Sequence, residues 1–397
     1  MHILFLTREY KHPDLPACGG TGVFYMNLAH KLIKNGHVVT VFGVSKKEIS
    51  FNDNGVNIYF IKDVFKRNKL LNITRSITKK ISFISSSHLK IFEYEKKEIA
   101  NKLKDYISSH NILVDIIETH DFDGLSLYLD NTIPYAIRCH GSWTILEKYF
   151  GYTKVQIGRK HCEKKAIEKA ENIITISKFS KKANEELFNI KNTKLIYNGI
   201  NTTEFQRDLS IPTIPYSLFF IGNISIEKGA DVAFSVFCKI EKVFPQATLH
   251  FIGRENNELK KEILDKTDEL KIADKIIFHG FQQKEKAITL LNQAHIILFP
   301  SKGETFGLAL CETMSMQIPA ICSNIEAFNE IITPYKNGMV ANNNSDFITK
   351  CIELFNDINL FENIKANSRK TVLDKFSLEM MTKTTSEYYT EIIKQKK

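Results

Sequence analysis

Short apolar runs alternate along the chain with stretches in which apolar residues return every three or four positions. Met1–Thr7 opens with the run Ile3-Leu4-Phe5-Leu6, short and continuous like a buried strand. A glycine cluster follows, Gly19-Gly20-Thr21-Gly22, then a helical pattern from Val23 to Lys34 that Asn35-Gly36 closes as a C-cap. His37–Phe42, Asp115–Glu118, Tyr135–Arg138 and Asn172–Ile176 are further strand-like runs. Strands alternating with helices predict an α/β fold, with a parallel sheet covered on both faces.

Asn198–Ser217 breaks the rhythm: it holds Gly199, Pro212 and Pro215, many polar residues and no period, as a linker does. The alternation then restarts. Leu218–Ile221, Leu249–Ile252, Lys275–Phe278, Ile296–Phe299 and Ala320–Cys322 read as strands, and Asp231–Val243 and Phe306–Met316 as helices. Ser377 to Lys394 is helical by pattern. The expected organisation is two Rossmann-like domains, 1–200 and 201–376, with a terminal helix at 377–397 that packs back on the first. No internal repeat or low-complexity tract interrupts it.

A length of 397 residues exceeds one compact core and agrees with two domains. Hydrophobic residues at 43% and charged residues at 25% are the balance of a soluble globular protein. The seven cysteines are scattered, without a C-x-x-C pair or metal-ligand spacing to a histidine, which fits reduced thiols in a cytoplasmic protein. No apolar run reaches membrane-spanning length, and the first run is too short for a signal-peptide core. The net charge of +9 is uneven: residues 62–104 hold twelve Lys/Arg against four Asp/Glu.

Candidate chemistry collects where strands give way to helices, the edge at which open α/β sheets bind ligands. Pro300 to Glu312 follows an apolar strand and opens a helix, so the N–H groups of Phe306, Gly307 and Leu308 would face a phosphate. Glu304 and Glu312 flank that point, about 12 Å apart at helical rise, beyond the ~5–10 Å of a glycosidase pair. They could take hydroxyls at opposite ends of one nucleotide sugar, or be two surface glutamates. Gly222-Asn223-Ile224-Ser225-Ile226-Glu227-Lys228-Gly229 again joins strand to helix, and Lys228 is placed to neutralise a leaving diphosphate, unless it is one solvated lysine among many. Gly19 to Gly22 could let backbone approach a ligand or form an ordinary turn. His140-Gly141 and His120-Asp121 follow two strands in equivalent positions; a lone histidine is usually structural, but two so placed favour function.

Together these features resemble the family-4 retaining glycosyltransferases of the GT-B fold, in which two Rossmann-like domains face a central cleft. Glu304 and Glu312 fit the E-x7-E motif within P-S-x-x-E-x-F-G-L-x-x-x-E, and Gly222 to Gly229 fits G-R-L-x-x-x-K-G. Asn198-Gly199-Ile200-Asn201 is similar to the N-G-V-D linker entry, and Ile321 to Glu330 with Gly338-Met339-Val340 to the following strand, acidic residue and G-x-V turn. Gly19-Gly20 and His140-Gly141 fit the family's Gly-Gly loop and catalytic-site histidine. The resemblance covers nearly the whole chain, loosely from Lys46 to Leu113.

It implies an acceptor-binding first domain and a donor-binding second domain. Glu304 would contact the donor sugar and Glu312 the ribose, while Lys228 and the amides of Phe306, Gly307 and Leu308 hold the diphosphate. Gly222 and Asn223 would line that loop, Gly20 would approach the phosphates, and His140 would stand beside the anomeric centre. It implies no metal and no cofactor, retention by front-face attack, and a hexosyl transfer to a glycan or lipid-linked acceptor in bacterial cell-surface polysaccharide assembly. Three positions depart from the pattern: Asn223 replaces the loop arginine, Thr305 a glycine, and Glu326-Ala327 a Gly-Gly. Arg254, after Leu249–Ile252, is the expected compensating cation. A nucleotide-sugar epimerase or phosphorylase of similar fold, or a non-catalytic sugar-nucleotide-binding protein, are the competing classes.

Leu70, Ile73, Ile77, Ile81 and Ile84 recur at helical spacing, with Lys66, Arg67, Lys69, Arg75, Lys79 and Lys80 around them. Such a helix suits an anionic membrane surface, making the protein peripheral on the inner face of the cytoplasmic membrane; a helix packed on the first domain is the alternative. Nucleic acid is not expected, for no basic motif is interleaved with aromatics.

Overall fold

In a computed structural model, residues 1–67, 85–153 and 155–396 are described. Met1–Tyr197 with Met381–Lys397 form one compact unit and Asn198–Met380 a second. The first is built on β1 (His2–Thr7), β2 (Val38–Ser45), β3 (Ile49–Asp53), β4 (Val56–Lys62), β5 (Ile116–His120), β6 (Tyr135–Cys139), β7 (Ile173–Thr175) and β8 (Lys194–Leu195). Their order is β3-β4-β2-β1-β5-β6-β7-β8, parallel throughout except for the β3–β4 pair. Both faces are covered, so β1 reads as a continuous apolar run rather than an alternating one, while β5 and β6 bury Glu118 and Arg138 among their apolar residues. Leu4, Leu6, Phe42, Ile117 and Ile137 pack there with Ile99 and Leu103 from the helix α2 (Ser85–Ser109).

The β3–β4 hairpin was not expected. Asp53 pairs with Val56, leaving Asn54-Gly55 as a two-residue loop with φ of 50° and 94°. Both signs are positive, as the hairpin turn matching strand twist requires. The glycine cluster also differs from the expected loop: α1 spans Gly20–Lys34, so Gly20 and Gly22 lie in its first turn. The segment from Leu70 to Ile84, with the expected basic interfacial helix, lies outside the described residues. Among the described residues no helix is long and apolar enough to cross a membrane.

The terminal helix, Leu378–Lys396, reaches the core of the first unit through a buried polar cluster. Arg138 and Glu118, both fully buried, make two hydrogen bonds of 2.9 Å. Tyr389 donates to the same carboxylate at 2.6 Å, and Arg138 donates to Thr385 at 3.1 Å. Burial works against the Arg138 charge, but Glu118 outweighs it and holds the pKa above its ordinary value. Such a pair contributes little over an apolar core, yet removing one partner costs roughly 3–5 kcal/mol.

The second unit is a parallel sheet of β9 (Ser217–Ile221), β10 (Thr248–Ile252), β11 (Ile276–Phe278), β12 (Ile296–Phe299), β13 (Ala320–Ser323) and β14 (Met339–Ala341), ordered β11-β10-β9-β12-β13-β14. Leu218, Phe220, Leu249, Ile296 and Leu298 pack against Phe237 and Ile240 of α3 (Ala230–Val243). Because every pair is parallel, the loops after β9, β10, β12 and β13 leave one edge together.

Candidate active site

In the second unit, the loop after β9 is zipped to the loops after β12 and β10. Lys302 N–H donates to the Glu227 carbonyl at 2.9 Å, and Ile224 N–H to the Arg254 carbonyl at 2.8 Å. Gly229, the N-cap of α3, has φ of 75°, and a Cβ there would lie 2.1 Å from the Pro300 carbonyl oxygen. No L side chain fits that approach, which brings the two loops together. Lys228 then meets Glu304: Nζ to Oε1 is 2.6 Å, and Ser301 Oγ donates to the same oxygen at 3.2 Å. Both side chains remain partly exposed, at 34% and 22%, so they can be reached by a ligand.

The helix α4 spans Leu308–Ser315, two residues later than expected, because Gly307 takes φ of 117° as its N-cap. Cys311 N–H makes the first bond back, to the Gly307 carbonyl, so the amides of Leu308, Ala309 and Leu310 precede the ladder. The Phe306 side chain is buried against Phe376, anchoring the turn rather than lining a surface. One turn further on, Glu312 stands near Glu204, which is paired at 2.5 Å with Lys284. Burial, reinforced by Glu204 and only partly offset by Lys284, pushes the Glu312 carboxyl up to about 7. The loop thus carries a cation beside one glutamate, and the carboxylate of the other has no hydrogen bond among the described residues.

Asn223 and Gly222 lie in the β9 loop, Asn223 exposed. Arg254 contributes its carbonyl to that loop, while its guanidinium lies over the Phe281 ring, 5.3 Å from the centroid.

The first unit gathers its own polar groups where β1, β5 and β6 end. Asp121 accepts from the backbone N–H of His140 at 3.1 Å and of Gly141 at 3.0 Å. Burial raises its pKa to about 7 against those two bonds. The His140 ring packs on Phe24 and Tyr25, and its buried Nε2 has no partner among the described residues. Burial, with Arg138 and His120 nearby, holds His140 well below the usual histidine range, so the ring is neutral at pH 7. Glu163 accepts from the N–H groups of Trp143 and Thr144, the start of the helix Trp143–Phe150, and burial raises it to about 8. His120 is structural in its contacts: Nε2 accepts from Arg8 N–H, and the ring stacks on Phe122 at 3.5 Å. Gly20 is exposed, but the preceding amide, Gly19 N–H, is already bonded to the Glu9 carboxylate at 3.2 Å. An anion approaching this turn therefore meets a like charge. Among the described residues no group of three His, Cys, Asp or Glu stands where it could hold a metal ion.

Residues 201–371 match the family model "Glycosyl transferases group 1", and residues 18–204 match "Glycosyltransferase Family 4". An uncharacterised glycosyltransferase of Methanocaldococcus jannaschii is 25% identical, with 98% of each chain covered. The N-acetyl-alpha-D-glucosaminyl L-malate synthase of Bacillus anthracis is 21% identical over 96% of each. The chain is a glycosyltransferase, matched by the family-4 model in its first half and by the group 1 model in its second. Its fold is that of sucrose-phosphate synthase from Thermosynechococcus elongatus, with a TM-score of 0.77 at 17% identity over all of both chains. HepE of Anabaena, solved in complex with UDP, gives 0.70 at 14% identity over 98% of this chain and all of that one.

For a glycosyltransferase, the second unit presents a consistent set: a lysine, first-turn amides and two glutamates on one sheet edge. The motif residues Gly222, Lys228, Glu304, Gly307 and Leu308 are brought together there, and Glu312 lies one turn behind. Arg254 is adjacent through its backbone, with its cation turned to Phe281. The residues that position this glycosyltransferase's loops, Asp121, Glu163 and Glu204, were not read as such from sequence. Only Asp121, beside His120 at a strand end, left a signal; Glu163 sits in an ordinary charged helix.

Proposed function

We propose that the enzyme is a retaining, metal-independent hexosyltransferase that moves a sugar from a nucleoside-diphosphate sugar to a glycan or lipid-linked acceptor in cell-surface polysaccharide assembly. The observation that carries this reading is the Lys228–Glu304 pair beside the amino terminus of α4. In the donor complex the diphosphate takes Lys228 and the first-turn amides of Leu308 and Ala309, and Glu304 is released to the sugar hydroxyls. Glu312 accepts from the ribose. The acceptor oxygen bonds to the anomeric carbon as the carbon–oxygen bond to the β-phosphate breaks, and the acceptor proton passes to the leaving phosphate oxygen. Charge grows on that phosphate, where a fixed cation and helix amides stabilise it most. Because they supply the charge, the reaction needs no metal ion. The bound UDP of HepE, of like fold, supports a uridine nucleotide as the first donor class to try.

The first unit, residues 1–197, is assigned to the acceptor, with the neutral His140 and its unpartnered Nε2 suited to hydrogen-bond a sugar hydroxyl. The basic stretch within 62–104 is assigned to an anionic membrane surface on the cytoplasmic side, where a lipid-linked acceptor would be found. The test is stereochemical. Proton NMR of the first-formed product should show the anomeric configuration of the donor, and an inverted product would exclude front-face transfer.

A further inference from the structure

The edge of the second unit opposite the donor loops holds a cavity of about 280 Å³, formed where the chain enters β12 and β13. Arg207 and Thr213 come from the segment before β9, His295 and Gln317 from the turns before β12 and β13, and Phe361, Glu362 and Lys365 from α5 (Ile358–Lys375). Arg207 is half-buried, donates to Thr213 Oγ1 at 2.5 Å, and has no carboxylate paired with it among the described residues. Burial alone lowers its pKa, with no acidic group offsetting it. His295 Nδ1 accepts from Tyr216 N–H at 2.9 Å, which leaves the proton on Nε2 as a donor. Burial, with Lys365 and Arg207 adding to it, holds this ring down to about 4, so it stays neutral as it donates. Lys365 is paired with Glu362 at 2.7 Å, but that carboxylate is 56% exposed, and an exposed pair is worth little against a better anion.

We propose that this cavity is a second, non-catalytic binding site for a small phosphate monoester, whose phosphate is held by Arg207, Lys365 and the His295 N–H. Two cations and a neutral donor, set against the one mostly exposed lining carboxylate, Glu362, suit a dianionic oxyanion better than a carboxylate ligand, and a guanidinium fork matches its oxygens in pairs. Pro215, Pro319 and Phe361 give the apolar wall for the organic part, and the Gln317 amide offers it a hydrogen bond. This cavity is distinct from the loops assigned to the donor's diphosphate, because Gly222 and Ser301 stand at the carboxyl ends of β9 and β12, while His295 stands at the amino end of β12.

Titration calorimetry of the whole chain tests this with inorganic phosphate and with glycerol phosphate. Wild type should bind both saturably, glycerol phosphate at least as tightly. Arg207→Gln and Lys365→Glu should each weaken binding on the order of tenfold or more, the loss of one charge-assisted hydrogen bond. Lys365 lies on a helix surface, so its variant folds even if Arg207→Gln does not. Lys228→Gln, which disarms the donor loop, should leave the phosphate affinity unchanged. The proposal is overturned if wild type does not bind phosphate, if Lys365→Glu binds it as wild type does, or if Lys228→Gln is the variant that loses it. Weaker binding of glycerol phosphate than of inorganic phosphate would refute the monoester.

Discussion

Replacing Glu312 by Gln should make the ligand-free protein more stable above neutral pH and a poorer binder of nucleotide. The folded carboxyl is raised from 4.5 to about 7, chiefly by burial and then by Glu204. Between those values the native state binds a proton that the unfolded chain has lost, so stability falls as pH rises from about 4.5 to about 7 and stays reduced above it. At about 1.4 kcal/mol per unit the full shift is an upper bound of ~3 kcal/mol, less what residual solvation recovers. Glu312→Gln removes the ionisable group and nearly keeps the shape. Urea unfolding at pH 8 should therefore give a second unit more stable in the variant by up to that amount, while at pH 4.5 the two proteins should coincide. Ribose hydroxyls would donate to the ionised carboxylate, so wild-type affinity for nucleoside diphosphate should rise as pH passes upward through about 7. The variant should lose that rise and bind on the order of tenfold more weakly. A variant no more stable than wild type at pH 8, or one that binds nucleotide equally well, would refute the reasoning.

Gly229→Ala forces a Cβ to within 2.1 Å of the Pro300 carbonyl oxygen at φ of 75°, so it should separate the two donor loops and raise the donor KM, read by steady-state kinetics. Tyr389→Phe leaves the buried Glu118 without one of its donors and should cost about 1–3 kcal/mol in thermal or urea unfolding, with nucleotide affinity of the second unit unchanged. Replacing Arg75, Lys79 and Lys80 together by Gln should release the protein from anionic vesicles at low salt in a co-sedimentation assay, each charge contributing ~1 kcal/mol near the surface.

The sheets were legible because strands buried on both faces are mostly apolar: β1, β9 and β12 carry uninterrupted runs, and β5, β6 and β10 stay readable although Glu118, Arg138 and His250 interrupt them. The β3–β4 hairpin was missed although Asn54-Gly55 states it, because the strands beside it are half-exposed and mix Ser, Asn and Asp with Ile and Phe. The loops after β9 and β12 were legible for another reason. Gly229, Lys228 and Glu304 are local requirements of a tight loop and a charge, and local requirements leave local signatures. The helix start was misplaced by two residues because Gly307 was read as a helical donor rather than as a left-handed cap. What could not be read were long-range pairings. Glu118 meets Arg138 and Tyr389 across 20 and 271 positions, and Glu204 comes to Glu312 only through the fold. An isolated glutamate in the sequence carries no sign of the partner that folding brings it.

The most direct test measures acceptor-dependent release of nucleoside diphosphate from a panel of nucleotide sugars in excess EDTA, with wild type and Lys228→Gln side by side. Lys228 is 34% exposed and contributes little to folding, so its variant should remain folded. The account predicts turnover by wild type that survives EDTA and falls by on the order of 10²–10³ in kcat when the lysine is lost. Turnover that EDTA abolishes and magnesium or manganese restores, or a Lys228→Gln protein as active as wild type, would contradict it.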